Sequence, residues 1–403
     1  MAVTRKRTTK RRSVADDFVH TGPGTLAGRY MRLFWQPVYR AKDLPAGHAR
    51  PIKIMNEEFT LYRGEGGKPH VVEFRCAHRG AQLSAGWVEE DCIRCMYHGW
   101  KYDGAGNCVE QPAEEKPFTE KIHIRAYPTE EYLGLIFAYL GEGEAPALPR
   151  YPRFELPGIV DPLPSLHWPC NYFQRLENAG DGAHLPFTHR DSYFSANART
   201  GIPKVARAET DFGLITYATF PSGATQAYPF GMPNIHDLRI PAPDPDIPWD
   251  DRINWTVPID DQSCIMFRAR HLPVTGAAAV RFLERAQAAT GSQGPDAAAL
   301  GNLVLAGRVR FQDLKSSAPG PIVYVNAQDY VAQVGQGAIA NRAREHLGRS
   351  DIGVILFRKI WQRELRALQR GRPLKKWTAS DGPVGLLQDE PNGKAVTASG
   401  GAG

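Results

Sequence analysis

Two pairs of residues with metal-binding side chains stand close together early in this 403-residue chain: Cys76-Ala-His78 and, after sixteen residues, Cys95-Met-Tyr-His98. Each pair fits within one tight loop. Two loops that each offer a thiolate and an imidazole can divide a [2Fe–2S] cluster between them, with the thiolates on one iron and the imidazoles on the other. Neutral imidazole donates less charge than thiolate, so such a cluster has a raised potential and accepts electrons from an ordinary ferredoxin-type donor. The competing chemistry is a Cys2His2 zinc site, for which Cys92 and Cys95 even supply a C-x2-C pair. The single residue between Cys76 and His78 is too short for the usual zinc knuckle. Gly80 and Gly99, after the two histidines, mark turns that free backbone amides for cluster sulfurs. Cys92 and Cys108 then read as non-ligands packed near the cluster, and Cys170 and Cys264 as small hydrophobes.

A second constellation lies downstream, in Glu177-Asn-Ala-Gly-Asp181-Gly-Ala-His184-Leu-Pro-Phe-Thr-His189. Two histidines and a carboxylate on one face of an iron, with open positions opposite, let Fe(II) bind dioxygen beside a substrate. Asp181 and His184 are i and i+3, so on a helix the carboxylate can orient the imidazole. His184 and His189 are i and i+5, about 500° of helical turn, which leaves the rings about 140° apart; convergence on one metal requires a break, and Pro186 between them would provide it. Alone, the pair would read as unrelated polar residues at a helix end, and Asp181 as a charge complementing a helix N-terminus. The cluster motif upstream favours the metal.

The elements that must position these residues are legible in outline. The length allows two to three domains, and 42% hydrophobic with 23% charged residues is ordinary globular composition. No stretch approaches the roughly 18 apolar residues of a membrane span. The formal charge of +6 equals the contribution of Arg5, Lys6, Arg7, Lys10, Arg11 and Arg12, which excludes a nucleic-acid-binding body and leaves a solvated tail or a docking arm. Arg11-Arg12 lacks the following apolar segment of an export signal, so a cytoplasmic location is expected. Six cysteines are too sparse for a disulfide scaffold.

Phe59-Leu61-Tyr62, Val71-Val72-Phe74 and Tyr132 to Leu140, separated by Gly- and Pro-bearing breaks, predict a small all-β domain. Ile253 to Ile259 and Cys264 to Phe267 predict strands, and Ser350 to Gln369 a helix stopped by Gly371 and Pro373. Ala286 to Gly301 is expected to be a mobile surface insertion, and Ala395 to Gly403 a disordered run. The expected divisions are 1–28, a basic disordered tail; 29–150, the cluster domain; 151–375, the iron domain; and 376–403, a C-terminal tail.

Cys76-Ala-His78-Arg-Gly80 with Cys95-Met-Tyr-His98-Gly-Trp-Lys-Tyr-Asp resembles the Rieske signature of ring-hydroxylating oxygenases. Asn178-x2-Asp181-x2-His184-x4-His189 resembles the iron motif of the same family, and Asn326-Ala-Gln-Asp329 onward to Asp351 the C-terminal segment of the alpha subunits of its phthalate-dioxygenase-like group. The similarity runs from Met31 to about Leu374. It implies an α+β protein, an N-terminal all-β Rieske [2Fe–2S] domain followed by a helix-grip catalytic domain of antiparallel sheet plus helices. It implies that Cys76, His78, Cys95 and His98 bind the cluster, that His184, His189 and Asp329 bind a mononuclear Fe(II), and that Asn178 sits close to the iron. Asp181 would link His98 of one subunit to His184 of the next in a head-to-tail homotrimer or stacked trimers. Many relatives carry Glu where this chain has Gln328. Spacing alone does not select the third ligand, so Asp313, Glu345 and Asp351 stay open, with solvated charge as their ordinary reading; His346 reads as structural.

The implied activity is that of a terminal oxygenase. It uses O2 and electrons passed from NAD(P)H by a separate flavin and iron–sulfur reductase to hydroxylate or oxidatively demethylate an aromatic substrate, by analogy an aromatic acid or related arene. No G-x-G-x-x-G follows a strand, so NADH is not expected to bind this chain. A Rieske electron carrier and a zinc-stabilised binding protein are the alternatives. Tyr217, Phe220, Tyr228, Phe230, Trp255 and Phe267 are candidates for an apolar pocket, with core packing the better expectation for each. Arg207, Arg239, Arg268 and Arg270 are candidates for gripping a carboxylate or sulfonate, with solvated surface expected of any one.

Overall fold

The alternating apolar residues of the N-terminal region form short antiparallel strands. In the computed structural model, which describes residues 17–192, 201–240, 246–247, 249–289, 296–314 and 320–379, a first helix α1 (Leu26–Arg32) leads into strands β1 (Trp35–Arg40), β2 (His48–Ile54), β3 (Glu57–Arg63), β4 (Pro69–Glu73), β5 (Trp87–Glu89), β6 (Cys92–Arg94), β7 (Lys101–Tyr102), β8 (Cys108–Glu110), β9 (Ala126–Tyr127), β10 (Thr129–Tyr132) and β11 (Leu135–Tyr139). They make three small sheets in the orders β1-β11-β10, β2-β3-β4-β9 and β5-β6-β7-β8. The loops after β4 and β6 carry the two Cys/His pairs.

Past a proline-rich crossing, β12 (Ile159–Trp168) starts a different architecture. Helices α2 (Tyr172–Ala179) and α3 (Leu185–Thr188) precede the strands β13 (Lys204–Glu209), β14 (Gly213–Thr219), β15 (Thr225–Gly231), β16 (Ile235–Ile240), β17 (Asp250–Asp260) and β18 (Ser263–Leu272). With β12 these form one seven-stranded antiparallel sheet ordered β12-β18-β17-β16-β15-β14-β13. Helices α4 (Gly276–Ala289), α5 (Ala297–Leu305), α6 (Phe311–Leu314), α7 (Pro321–Val334) and α8 (Ile352–Gln369) complete the chain. The fold is therefore the expected all-β domain followed by an antiparallel sheet held by helices.

Helix α8 buries Val354, Phe357, Ile360, Trp361 and Leu365 at helical spacing. Phe357 stacks on Phe173 of α2 at 5.2 Å between ring centroids, each such buried ring contributing about 1.5–3 kcal/mol. The helix ends where Gly371 takes φ +61°, and Arg372 N–H returns to Ala367 O, the left-handed cap that glycine makes without strain. Glu177 on α2 accepts from Arg342 at 2.8 Å and Arg358 at 2.5 Å, which fixes α2 against α8.

Three expected boundaries change. Residues 17–28 are not tail: Phe18 and Val19 are buried, Phe18 stacks on Phe173 at 4.0 Å, Tyr172 donates to Phe18 O at 2.6 Å and Thr25 caps α1. Two apolar residues in a polar stretch are enough to anchor it, because Phe18 and Val19 join the buried core that includes Phe173. The expected tail from 376 likewise starts too early, since Trp377 donates to the hydroxyl of Tyr30 at 3.0 Å and Thr378 N–H to Asp211 O. Ala286 to Gly301 is helical at both ends, in α4 and in α5 with its Asp296 cap; alanine favours helix over loop. Positions 290–295, the six basic residues and Ala395–Gly403 lie outside the described residues.

Candidate metal centres and active-site cavity

The two cluster loops are near-copies of one turn. Cys76 N–H donates to Ala81 O and Gly80 N–H to Cys76 O; Cys95 N–H donates to Trp100 O and Gly99 N–H to Cys95 O. Gly80 at φ +73° and Gly99 at φ +76° occupy the left-handed region that lets each loop reverse. Cys76 and Cys95 are buried, while the His78 and His98 rings lie 4.5 Å apart between centroids. The His78 ring is fixed by stacking on Trp100 at 4.6 Å. Its Nδ1 is buried with no hydrogen-bond partner among the described residues, a costly arrangement unless that nitrogen ligates a metal. Burial pushes the Cys76 thiol up, against the hydroxyl of Tyr102 at 3.2 Å. These four residues fit a Rieske cluster, two donors for each iron. Cys108 is buried beside them and Cys92 is half-buried.

The second centre is assembled from α2, α3 and α7. The residues between α2 and α3 turn tightly, so His184 and His189 bracket the single turn of α3 as its N-terminal and C-terminal caps. No kink marks Pro186: it stands second in α3, within the first turn where its fixed φ fits, and the two histidines are related as the caps of that single turn, while the chain leaves α2 earlier, at Gly180. The Asp181 carboxylate stands 4.0 Å from His184 Nδ1. It caps Ala183 N–H at 2.8 Å, and the backbone carbonyl of Asp181 faces His184 Nδ1 at 2.5 Å. His189 Nδ1 is engaged by Gln328 Oε1 at 3.0 Å. With both Nδ1 atoms occupied, both Nε2 atoms converge on Asp329 Oδ1, at 3.7 Å from His184 and 3.3 Å from His189.

His184, His189 and Asp329 thus place one donor atom each within 4.8 Å of one another, a donor set suited to a 2-His-1-carboxylate iron with open positions. Asn178 Nδ2 donates to Asp329 Oδ1 at 3.3 Å. Arg175, one turn earlier on α2, lies 3.7 Å from Asp329 Oδ2 and 4.8 Å over the ring of Trp168. Burial works to raise the Asp329 carboxyl, but His189, Arg175 and His184 outweigh it and hold it well below the usual carboxylate range. Burial pushes His184 down; in His189 the closer Asp329 oxygen overcomes burial and moves the ring up. The other acids weighed for third ligand are engaged elsewhere: Asp313 with Arg310, Glu345 with Arg358, and Asp351 with the Gly348 N–H. His346 is exposed.

Beside this centre lies a cavity of about 160 Å³, and cavities of about 150 Å³ take up benzene. Ile322, Val325, Asn326 and Asp329 line it from one face of α7, and the sheet closes it with Tyr228, Asn254 and Arg268 among others. Of the six aromatic candidates only Tyr228 lines it. Phe220, Phe230, Trp255 and Phe267 are buried in the core, and Tyr217 is outside the lining.

Of the four arginines, Arg239 and Arg268 line the cavity. Arg268 is not solvated surface, being 9% exposed. Arg207 is half-buried, running beside Gly180 to donate to Gly353 O. A Cβ at Gly353 would come within 2.1 Å of its Cζ and one at Gly180 within 2.5 Å of its Nη2; burial lowers this guanidinium to about 9. Arg270 pairs with Asp161 at 2.7 Å. Sequence reasoning missed Arg175, whose i, i+3 relation to Asn178 was available as a signal, and noted Gln328 only as a departure.

A family model for the Rieske [2Fe-2S] domain matches residues 34–129. Over 94% of this chain and 84% of its own length, the 5,5'-dehydrodivanillate O-demethylase oxygenase subunit of Sphingobium sp. is 28% identical. The phenoxybenzoate dioxygenase subunit alpha of Ectopseudomonas oleovorans is 30% identical over 86% of this chain and 84% of its own. Among solved structures, NdmA of Pseudomonas putida CBB5 superposes with a TM-score of 0.62 at 22% identity, covering 86% of this chain and 94% of that one. No helix among the described residues is long and apolar enough to cross a membrane.

Proposed function

The chain belongs to the Rieske non-heme iron oxygenases, and from that premise we propose that it hydroxylates or oxidatively demethylates a single-ring aromatic compound in the cavity beside His184, His189 and Asp329. It is an oxygenase component and takes its electrons from a separate electron-transfer partner. The observation that carries the reading is the pairing, in one chain, of a Cys2His2 loop pair with a second, carboxylate-containing donor set that opens on a cavity of benzene size. An electron carrier has no use for the second feature.

In this reading Cys76, His78, Cys95 and His98 hold the [2Fe–2S] cluster, and His184, His189 and Asp329 hold Fe(II), which when bound supplies the activation of dioxygen. The protein's part is to fix and enclose. Asp181 O and Gln328 hold the two imidazoles in the tautomer that presents Nε2, the histidines and Arg175 hold the Asp329 carboxylate ionised while Asn178 hydrogen-bonds it, and the buried sheet face keeps water from the substrate.

The division is 29–150 for the cluster domain and 151–375 for the catalytic domain, with the N-terminal segment lying on the catalytic helices through Phe18 against Phe173 and Tyr30 against Trp361. Electrons cross between subunits of a head-to-tail homotrimer, from His98 of one through Asp181 to His184 of the next. Supporting this, Met96 and Tyr97 beside His98 are 51% and 54% exposed, and Phe187, between the two iron-site histidines, is 61% exposed, apolar surface that a neighbouring subunit would cover. The test is turnover of methoxylated and unsubstituted benzoates with NADH, a ferredoxin-type reductase and 18O2, read by mass spectrometry. Label in a ring hydroxyl, or release of formaldehyde, is the expected outcome; NADH oxidation with no substrate change across the panel would contradict it.

A further inference from the structure

The register of the large sheet lines up three polar side chains on the cavity. His236 on β16 pairs with Asn254 on β17, and Asn254 pairs with Arg268 on β18. All three line the cavity. Cross-strand neighbours lie about 5 Å apart, so the row spans roughly 10 Å. Arg175, Asp329 and His184 act electrostatically on its His236 end, whereas the charges acting on Arg268 are Arg252, Arg175, Arg270 and Asp250 with none of the metal donors, so the His236 end is the metal end of the cavity.

The row is unsatisfied where its surroundings are not. Among the described residues, Asp237 is bound by Arg153 at 2.6 Å, Arg239 by Asp251 at 2.6 Å, Arg252 by Asp250 at 2.6 Å, and Arg175 faces Asp329. Arg268 has no carboxylate partner there. Its Nε and Nη2 donate to a single carbonyl, Pro164 O, at 3.1 and 2.5 Å, which anchors the guanidinium from one side. Asn254 Oδ1 and His236 Nε2 are buried with no hydrogen-bond partner among the described residues. An uncompensated guanidinium and two idle polar atoms in one enclosed row are costly to fold, and a carboxylate satisfies two of the three members: one oxygen on Arg268, the other on the Asn254 amide, whose N and O ends exchange by a half-turn so that the N–H donates.

We propose that Arg268, with Asn254, forms a carboxylate subsite, so that this oxygenase takes a single-ring aromatic monocarboxylate with its ring lying along the row toward His236. The proposal rests on the reading of the cavity as an oxygenase substrate chamber. It places the carboxylate at the end away from the metal donors, and hence the ring positions meta and para to it, or a methoxy group on them, at the reactive end. His236 is left to hold a hydroxyl or ether oxygen there.

The test is calorimetric binding of benzoate, 3-methoxybenzoate and 4-methoxybenzoate, each against its neutral amide, to the iron-loaded protein and to Arg268→Gln and Arg268→Lys. Wild type is expected to prefer at least one acid over its amide by about 30-fold or more, Arg268→Gln to lose most of that preference, and Arg268→Lys to keep part of it. Amides binding as tightly as acids, no acid binding at all, or an unchanged preference in Arg268→Gln at intact thermal stability would overturn the subsite. Iron content and the reduced cluster's EPR signal, recorded on the same preparations, separate this from the oxygenase reading: their absence sinks that reading, whereas their presence with no acid preference sinks only the subsite.

Discussion

The four cluster residues lie within 23 positions of one another, on two loops of one small sheet system, whereas 139 positions separate His189 from the Gln328 that orients it. The first centre is a local construction. Each loop closes on its own backbone with the same pair of hydrogen bonds, over a small core completed by Tyr62, Val72 and Ile124 of the same domain. The second centre exists only when α2, α3 and α7 are docked, and two of its ligands, His189 and Asp329, are held by amide side chains from remote segments, Gln328 and Asn178. A locally built site fails by losing its own ligands or turns; an assembled site also fails when its props move.

The largest separation between the two is expected from Cys95→Ala. It should abolish the reduced Rieske EPR signal and lower the melting temperature of the cluster domain by calorimetry, because metal binding there is coupled to folding, while the mononuclear iron, measured after chelation and reloading, stays at about one per chain. If both metals disappear together, the centres are not independent constructions.

Next in size is Asp329→Asn. It removes the charge that balances Arg175 and supports both histidines, and is expected to cost the mononuclear iron at least about 100-fold in affinity by competitive chelation with the cluster spectrum unchanged. Gln328→Leu should follow at about 10–100-fold. It touches no metal, so an unchanged affinity would show that His189 does not depend on its prop.

Smaller effects probe the cluster loops. Gly99→Ala meets both a positive φ and Pro112, whose Cγ would lie 2.8 Å from the new Cβ, whereas Gly80→Ala meets open space. The first should destabilise by about 2 kcal/mol or more and the second by about 1 kcal/mol, in chemical denaturation; equal losses would mean that the two loops are not distinguished by packing. The smallest effect belongs to Glu89, which the hydrogen bond from Arg94 lowers to about 2. A depressed acid stabilises above its unfolded value of about 4.3 and loses that contribution as pH falls toward 2. Being 39% exposed, Glu89 should contribute below about 1 kcal/mol. Glu89→Gln should therefore differ slightly from wild type at pH 7 and not at pH 2.

The same contrast explains what could be read from the chain. Cys76, His78, Cys95 and His98 are legible because their spacing is their geometry. The α8 helix was readable from its periodicity to within two residues, and Gly371 from its role as a stop. At the iron site the two histidines stand in one motif, but the turn that carries them off α2 is set by Gly180 to Gly182 packing on Arg207 and Thr216, which periodicity does not reveal. The row His236, Asn254 and Arg268 depends on register across three strands, and no single stretch of sequence carries it. Phe18 and Val19 were hidden for a related reason: a segment's anchor is visible only with the pocket that receives it.

The most direct measurement is iron content and EPR of the reduced protein, in wild type and in His184→Ala/His189→Ala. Two separate centres predict about three irons per chain with a Rieske signal, falling to about two with the signal unchanged in the double variant. Two irons in both proteins, or a Rieske signal lost along with the mononuclear iron, would contradict the account.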